Sequence, residues 1–237
     1  MRDNDEELAI PNIRSDQLNN DQRRVFDRIV QHHESQDAMP LRLIISGTAG
    51  SGKSYMLNAI RYALSQEQSA LKYCPVAAHT GVAAYNVGGV TLHSMFRFGI
   101  GGQDQVIQPA AAQALRERLR GLRYLFIDEK SMVGASTLSR IHQRLIIAFP
   151  EYAEEPFGGR SIILIGDYAQ LPPVSDIPMY AKTSSIKSES VLRGLQLYQL
   201  FNHFIRLRQN MRQGDEDQLL FRNILTNARA GEWSIAH

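Results

Sequence analysis

The sequence predicts an α/β domain with a mostly parallel sheet and helices on both faces. Three observations carry this. Short apolar runs alternate with helically spaced segments along the 237 residues, as they do where crossover helices link parallel strands. Residues 41–54, Leu-Arg-Leu-Ile-Ile-Ser-Gly-Thr-Ala-Gly-Ser-Gly-Lys-Ser, join an apolar run to a glycine loop and then to helical spacing. Several apolar runs end in polar residues, and open parallel sheets carry their working groups at the carboxyl ends of strands.

Composition narrows the class. The length suits one large domain, or one domain with short appendages. Lys+Arg 26 against Asp+Glu 24 leaves a net charge of +2, which neither demands nor excludes nucleic acid. The single cysteine, Cys74, excludes an internal disulfide and fits a reducing compartment. It reads as a small buried hydrophobe on a strand. No uncharged run is long enough to cross a membrane. The acidic start, Met1 to Glu7, is unlike a signal or transit peptide. There is no basic block and no internal repeat.

In chain order, residues 1–17 read as an N-terminal arm and 18–237 as the domain. A helix over 19–33 follows from Val25 with Ile29 and Phe26 with Val30. A polar linker, 34–40, leads to the strand before the glycine loop. The next helix, 54–66, places Leu57, Ile60 and Leu64 on one side. A strand is expected at 72–78. A loop, His79-Thr80-Gly81, then opens a helix at 82–87, which Gly88-Gly89 ends. Residues 99–109 read as a loop and 110–120 as a helix. A strand at 124–127 ends in Asp128-Glu129, and helix 135–149 carries Leu138, Ile141, Leu145 and Phe149. Pro156 to Gly159 is a turn. The strand at 161–165 ends in Gly166-Asp167, and Pro172-Pro173 stops regular structure. Residues 176–190 read as loop, 204–207 as a strand and 215–230 as a last helix.

The glycine loop carries the first chemistry. Gly47, Gly52, Lys53 and Ser54 fit G-x-x-x-x-G-K-[ST]. Across Gly47, Thr48, Ala49, Gly50, Ser51 and Gly52 the backbone N–H groups can turn toward an anion. Lys53 is placed to reach the β- and γ-phosphates of a nucleotide, and the Ser54 hydroxyl to ligate Mg²⁺. Asp128 is expected as a direct or outer-sphere partner of Mg²⁺. Glu129 is expected to orient or deprotonate the attacking water. Without a strand before it such a pair would be a solvated turn. Asp167 and Gln170 stand where a side chain senses the γ-phosphate. A glutamine takes no proton at neutral pH, so it suits a sensor better than a base. Arg212 is either a guanidinium for the transferring phosphoryl group or one solvated arginine beside Arg206 and Arg208. Glu129 weighs against a small kinase or a GTPase.

A set of segments then occurs in a telling order: Asn19-Asn20-Asp21-Gln22, the glycine loop, Thr80-Gly81-Val82-Ala83-Ala84, Thr91-Leu92-His93-Ser94-Met95-Phe96, Ile127-Asp128-Glu129-Lys130-Ser131-Met132, Pro156-Phe157-Gly158-Gly159, Gly166-Asp167-Tyr168-Ala169-Gln170-Leu171-Pro172-Pro173-Val174 and Leu207 to Gln213. Over about residues 18–230 the chain resembles the superfamily 1 DNA helicases of the PIF (petite integration frequency) type, including those of Helitron transposons. The resemblance implies a RecA-like P-loop NTPase domain that uses ATP and Mg²⁺. It implies that Gln22 reads the adenine edge, that Gln170 links the γ-phosphate to movement, and that Arg212 contacts it. It implies that Thr80, Gly81, Thr91, His93 and Ser94 touch the backbone of single-stranded DNA, with Phe96 or Phe98 stacking on a base. Read from the residues alone, His93 is a satisfied core histidine and Phe96 is core packing.

The implied activity is that of an ATP-dependent 5′→3′ DNA helicase, which acts on single strands and forks in the nucleus. His79 stands where the family commonly has proline. The family's second RecA-like domain has motifs that these residues do not include. The isolated chain is therefore expected to need that domain or a partner chain. Alone it should bind Mg·ATP weakly, hydrolyse it slowly if at all, and not unwind DNA. Two other readings stay open: a non-catalytic module that binds single strands or a partner and keeps nucleotide as a prop, and a P-loop ATPase acting on something other than DNA.

Overall fold

The computed structural model describes residues 10–35, 39–64, 73–99, 107–182, 186 and 188–211. Its elements run α1 Asn20–Glu34, β1 Arg42–Gly47, α2 Lys53–Leu64, β2 Val76–Ala78, α3 Gly81–Asn86, β3 Val90–Thr91, α4 Leu92–Phe96, α5 Pro109–Leu119, β4 Tyr124–Asp128, α6 Ala135–Ala148, β5 Ser161–Gly166, α7 Glu189–Gln199 and β6 His203–Leu207. The strands form a 6-stranded sheet in the order β3-β2-β4-β5-β1-β6. Every pairing is parallel. No described helix is long and apolar enough to cross a membrane.

Strand side chains alternate between two cores, because successive residues of a strand point to opposite faces. Leu43, Ile45, Tyr124, Phe126, Ile163 and Ile165 meet Val25 and Ile29 of α1 and Met56, Leu57 and Ile60 of α2. Ile44, Leu125, Ile127, Ile162 and Leu164 meet α4, α5 and α6 through Phe96, Leu115, Leu138 and Ile141. Helices cover both faces, so the central strands are buried on both sides and read as unbroken apolar runs.

The expected elements appear with four changes. Of the strand expected at 72–78, the described residues form only Val76–Ala78, and Pro75 has no N–H to give a ladder. Val90–Thr91 is a further short strand beside it. Residues 92–96, for which the spacing predicts no element, form α4, capped by Thr91. Finally α7 fills a stretch expected to be loop at its start and otherwise unassigned. Residues 10–17, read as part of the arm, lie on the domain: Ile13 is buried and Ile10 packs on the α1–α2 core. The expected helix 215–230, Arg212 and most of the 99–109 loop lie outside the described residues.

Candidate active site

The site grows from the carboxyl end of β1. Gly50 (φ 83°) and Gly52 (φ 75°) take left-handed backbone, open to glycine at little cost. The loop closes on itself: Ser51 N–H and Ser51 Oγ both donate to the Thr48 carbonyl, at 3.2 and 2.9 Å. Lys53 opens α2, and its ammonium donates to the Gly47 and Thr48 carbonyls at 3.0 Å each. The chain after β6 crosses the same loop, with Met211 N–H donating to the Gly50 carbonyl at 2.8 Å.

Gln22 is buried beneath this loop. Its Oε1 accepts the Asn19 N–H while Asn19 Oδ1 accepts the Gln22 N–H, both at 3.0 Å. That reciprocal pair caps α1. Its Nε2 donates to the Ser51 carbonyl at 3.2 Å and the Gly52 carbonyl at 3.4 Å. A Cβ on residue 52 would collide with that amide nitrogen. Gln22 thus ties α1 to the loop.

The neighbouring carboxyl ends of β4 and β5 bring the rest. Ala49, Gly50, Lys53, Ser54, Asp128, Glu129, Gly166, Gln170 and Met211 line one cleft of about 380 Å³. Asp128 Oδ1 accepts the Glu129 N–H at 2.9 Å. Burial pushes the Asp128 carboxyl above its ordinary range, against the lowering pull of that N–H and of the Lys53 and Lys130 ammonium groups. Glu129 holds a left-handed backbone, φ 52° and ψ 47°. Gly166 (φ 137°) packs against that turn, and a Cβ there would lie 2.9 Å from Lys130 N and 3.3 Å from Glu129 Cα. Asp167 is buried and accepts the Ala169 N–H at 3.1 Å, which shapes the turn that carries exposed Gln170.

One buried neighbour of the cleft is not singled out by any spacing of polar residues. Lys130 is fully buried, although a lysine after Asp-Glu reads as solvated. Its ammonium donates to the Ile45 carbonyl at 3.1 Å and to the Gly166 carbonyl, and lies 4.6 Å from the centre of the Tyr168 ring. It joins the ends of β1 and β5 beneath Glu129. Finding it requires the strand order, which no local pattern contains.

The second group of candidates sits at the carboxyl ends of β2 and β3, where Ala78 pairs with Thr91. Thr80 caps α3 by accepting the Ala83 N–H at 3.2 Å. Thr91 caps α4 by accepting the Ser94 N–H at 3.1 Å. The His79 and His93 rings, 6.0 Å apart, join the two loops. Gly81, His93 and Ser94 are exposed, so the core-histidine reading of His93 is corrected: it stands at the surface beside Phe98. Partial burial, then His79 and Arg140, lower its pKa and favour a neutral ring. Stacking on a base by Phe96 or Phe98 is also corrected. Phe96 is fully buried and Phe98 nearly so, and the Arg140 guanidinium covers Phe98 at 4.2 Å. Thr80 also donates to Glu129 Oε2 at 3.3 Å, which links the two groups.

Known proteins resemble this chain in sequence and backbone. The family model for PIF1-like helicases matches residues 17–235. The chain is 30% identical over 232 residues to an ATP-dependent DNA helicase PIF1 of Candida albicans, covering 90% of this chain and 24% of that protein. An ATP-dependent DNA helicase Pif1 of a Psychrobacter species is 31% identical over 199 residues, covering 79% and 28%. Among solved structures, Pif1 helicase from Candida albicans superposes with TM-score 0.67 at 29% identity, covering 92% of this chain and 45% of that one. Pif1 helicase from Bacteroides, in complex with ADP-AlF3 and ssDNA, gives 0.62 at 29%, covering 92% and 47%. The chain therefore spans about a quarter of those curated relatives and about half of those solved chains. Since the match runs almost end to end and holds in sequence and in backbone alike, this chain belongs to the PIF1-like helicase family.

Proposed function

We propose that this domain binds Mg·ATP and hydrolyses it, as the motor half of a DNA helicase that moves 5′→3′ on single strands and opens forks. The observation that carries the reading is the convergence of Lys53, Ser54, Asp128, Glu129 and Gln170 on one cleft. The ATP phosphates take the loop N–H groups and the start of α2. Lys53 exchanges its loop carbonyls for β- and γ-phosphate oxygens. Glu129 orients the attacking water and takes its proton. The water oxygen bonds to the γ-phosphorus as the bond to the β–γ bridging oxygen breaks, and ADP leaves. Gln170 reports the γ-phosphate through its hydrogen bonds.

The donor set fits Mg²⁺. A hydroxyl and a carboxylate, Ser54 and Asp128, share the cleft and are the hard oxygen ligands that ion takes. A half-buried carboxylate whose ionised form is poorly solvated gains from a nearby cation. When bound, Mg²⁺ would neutralise charge on the β- and γ-phosphate oxygens. Gln22 is assigned the adenine edge, which requires it to exchange its bonds to the loop carbonyls. Arg212 is assigned the γ-phosphate. Thr80, Gly81, Thr91, His93 and Ser94 are assigned the phosphates of a single strand, through hydroxyls, backbone and a neutral imidazole.

Steady-state ATP hydrolysis by this chain, with and without an oligothymidylate, tests the reading. Turnover stimulated by DNA and lost in Lys53→Ala supports it, as does Glu129→Gln that binds ATP but falls by about 100-fold or more in rate. Turnover retained by Glu129→Gln would contradict the assignment of the base.

A further inference from the structure

Thr80 stands outside the nucleotide cleft, yet its hydroxyl is bonded into it. A hydroxyl has one proton and two lone pairs. One lone pair accepts the Ala83 N–H at 3.2 Å. The proton goes to Glu129 Oε2 at 3.3 Å. The Glu129 backbone has little freedom. Its N–H is held by Asp128 Oδ1 at 2.9 Å, its left-handed turn is fixed, and Gly166 packs against its Cα too closely for a Cβ. What remains adjustable is the side chain, and Thr80 holds it. Around the next residue, Gly81, a Cβ would find no atom within 4 Å, so an incoming strand meets no barrier there.

We propose that Thr80 is a positioning residue for Glu129: its hydroxyl tethers the carboxylate to α3, and a phosphate oxygen of a bound single strand takes the same proton and releases the carboxylate to the attacking water. One proton cannot serve both acceptors, so strand binding and the tether exclude each other. This rests on the reading of Glu129 as the water-activating group and of Thr80 as a strand contact.

The test uses the full chain and a fluorescent ADP with Mg²⁺, with and without aluminium fluoride, which completes a transition-state analogue. ADP alone supplies the ground-state reference. In the absence of DNA, Thr80→Val should hold the analogue about tenfold tighter than wild type does, the worth of one hydrogen bond to a charged group. Thr80→Gly caps a helix about as well as threonine but cannot donate, and should show the same gain. Thr80→Ser should restore the wild-type pattern. An oligothymidylate should tighten the analogue for wild type and Thr80→Ser, and add nothing for Thr80→Val. Analogue affinity in Thr80→Val equal to wild type without DNA would overturn the proposal. So would a gain in Thr80→Val absent from Thr80→Gly, since that pattern belongs to the cap. ATP turnover retained by Glu129→Gln would remove the water-activating reading and the inference with it.

Discussion

Asp128 carries a conflict between stability and its proposed role at Mg²⁺. Burial raises its pKa, so the folded state holds a proton more tightly than the unfolded chain. The carboxylate then weakens the fold as pH climbs from its unfolded value through its folded one. Asp128→Asn should stabilise the domain at pH 7, and the gain should vanish near about pH 4, where the unfolded group also protonates. Thermal unfolding across pH checks this, and the same variant should lose Mg²⁺-dependent nucleotide binding. Lys130 works in the opposite sense. Lys130→Met leaves the Ile45 and Gly166 carbonyls without their donor, at a cost of about 1–3 kcal/mol readable in a urea titration. The residues that share the cleft were legible because each belongs to a spaced pattern or a strand end: Lys53, Ser54, Asp128, Glu129 and Gln170. Lys130 and the Gln22 clamp were not. Their partners are 85 and about 30 residues distant in sequence, and only the order of strands brings them together.

At the scale of elements, the long central strands and α1, α2 and α6 could be read from apolar spacing. Short pieces could not. Pro75 stands just before β2, and β3 is two residues long. The helix α7 hides behind Gly194, an unfavourable residue inside a helix. Its reason is tertiary: a Cβ at 194 would strike the Ala135 carbonyl of α6, so the glycine lets the two helices close. The start of α6 is also held from afar. Asp176 accepts the Ser136 N–H at 3.1 Å and the Thr137 N–H and hydroxyl at 3.0 and 2.9 Å. It supplies the cap, and the negative charge, that Gly134 cannot. Asp176→Ala should lower stability by about 1–2 kcal/mol. Denaturant midpoints measure it, and an unchanged midpoint would show that the loop cap adds nothing.

Across the whole molecule, the sheet brings the candidates of the cleft to the carboxyl ends of β1, β4 and β5 and the proposed strand contacts to those of β2 and β3. Thr80 and Glu129 join the two groups. The family's logic was legible at this scale because the motifs occur in order; what their side chains do to one another was not. The nucleotide reading of the cleft is tested most directly by equilibrium binding of ATP, with and without Mg²⁺, to wild type and Lys53→Ala. It predicts Mg²⁺-dependent binding that weakens by about 100-fold or more in the variant, the worth of two charged hydrogen bonds to phosphate. Equal affinity in wild type and Lys53→Ala would contradict it.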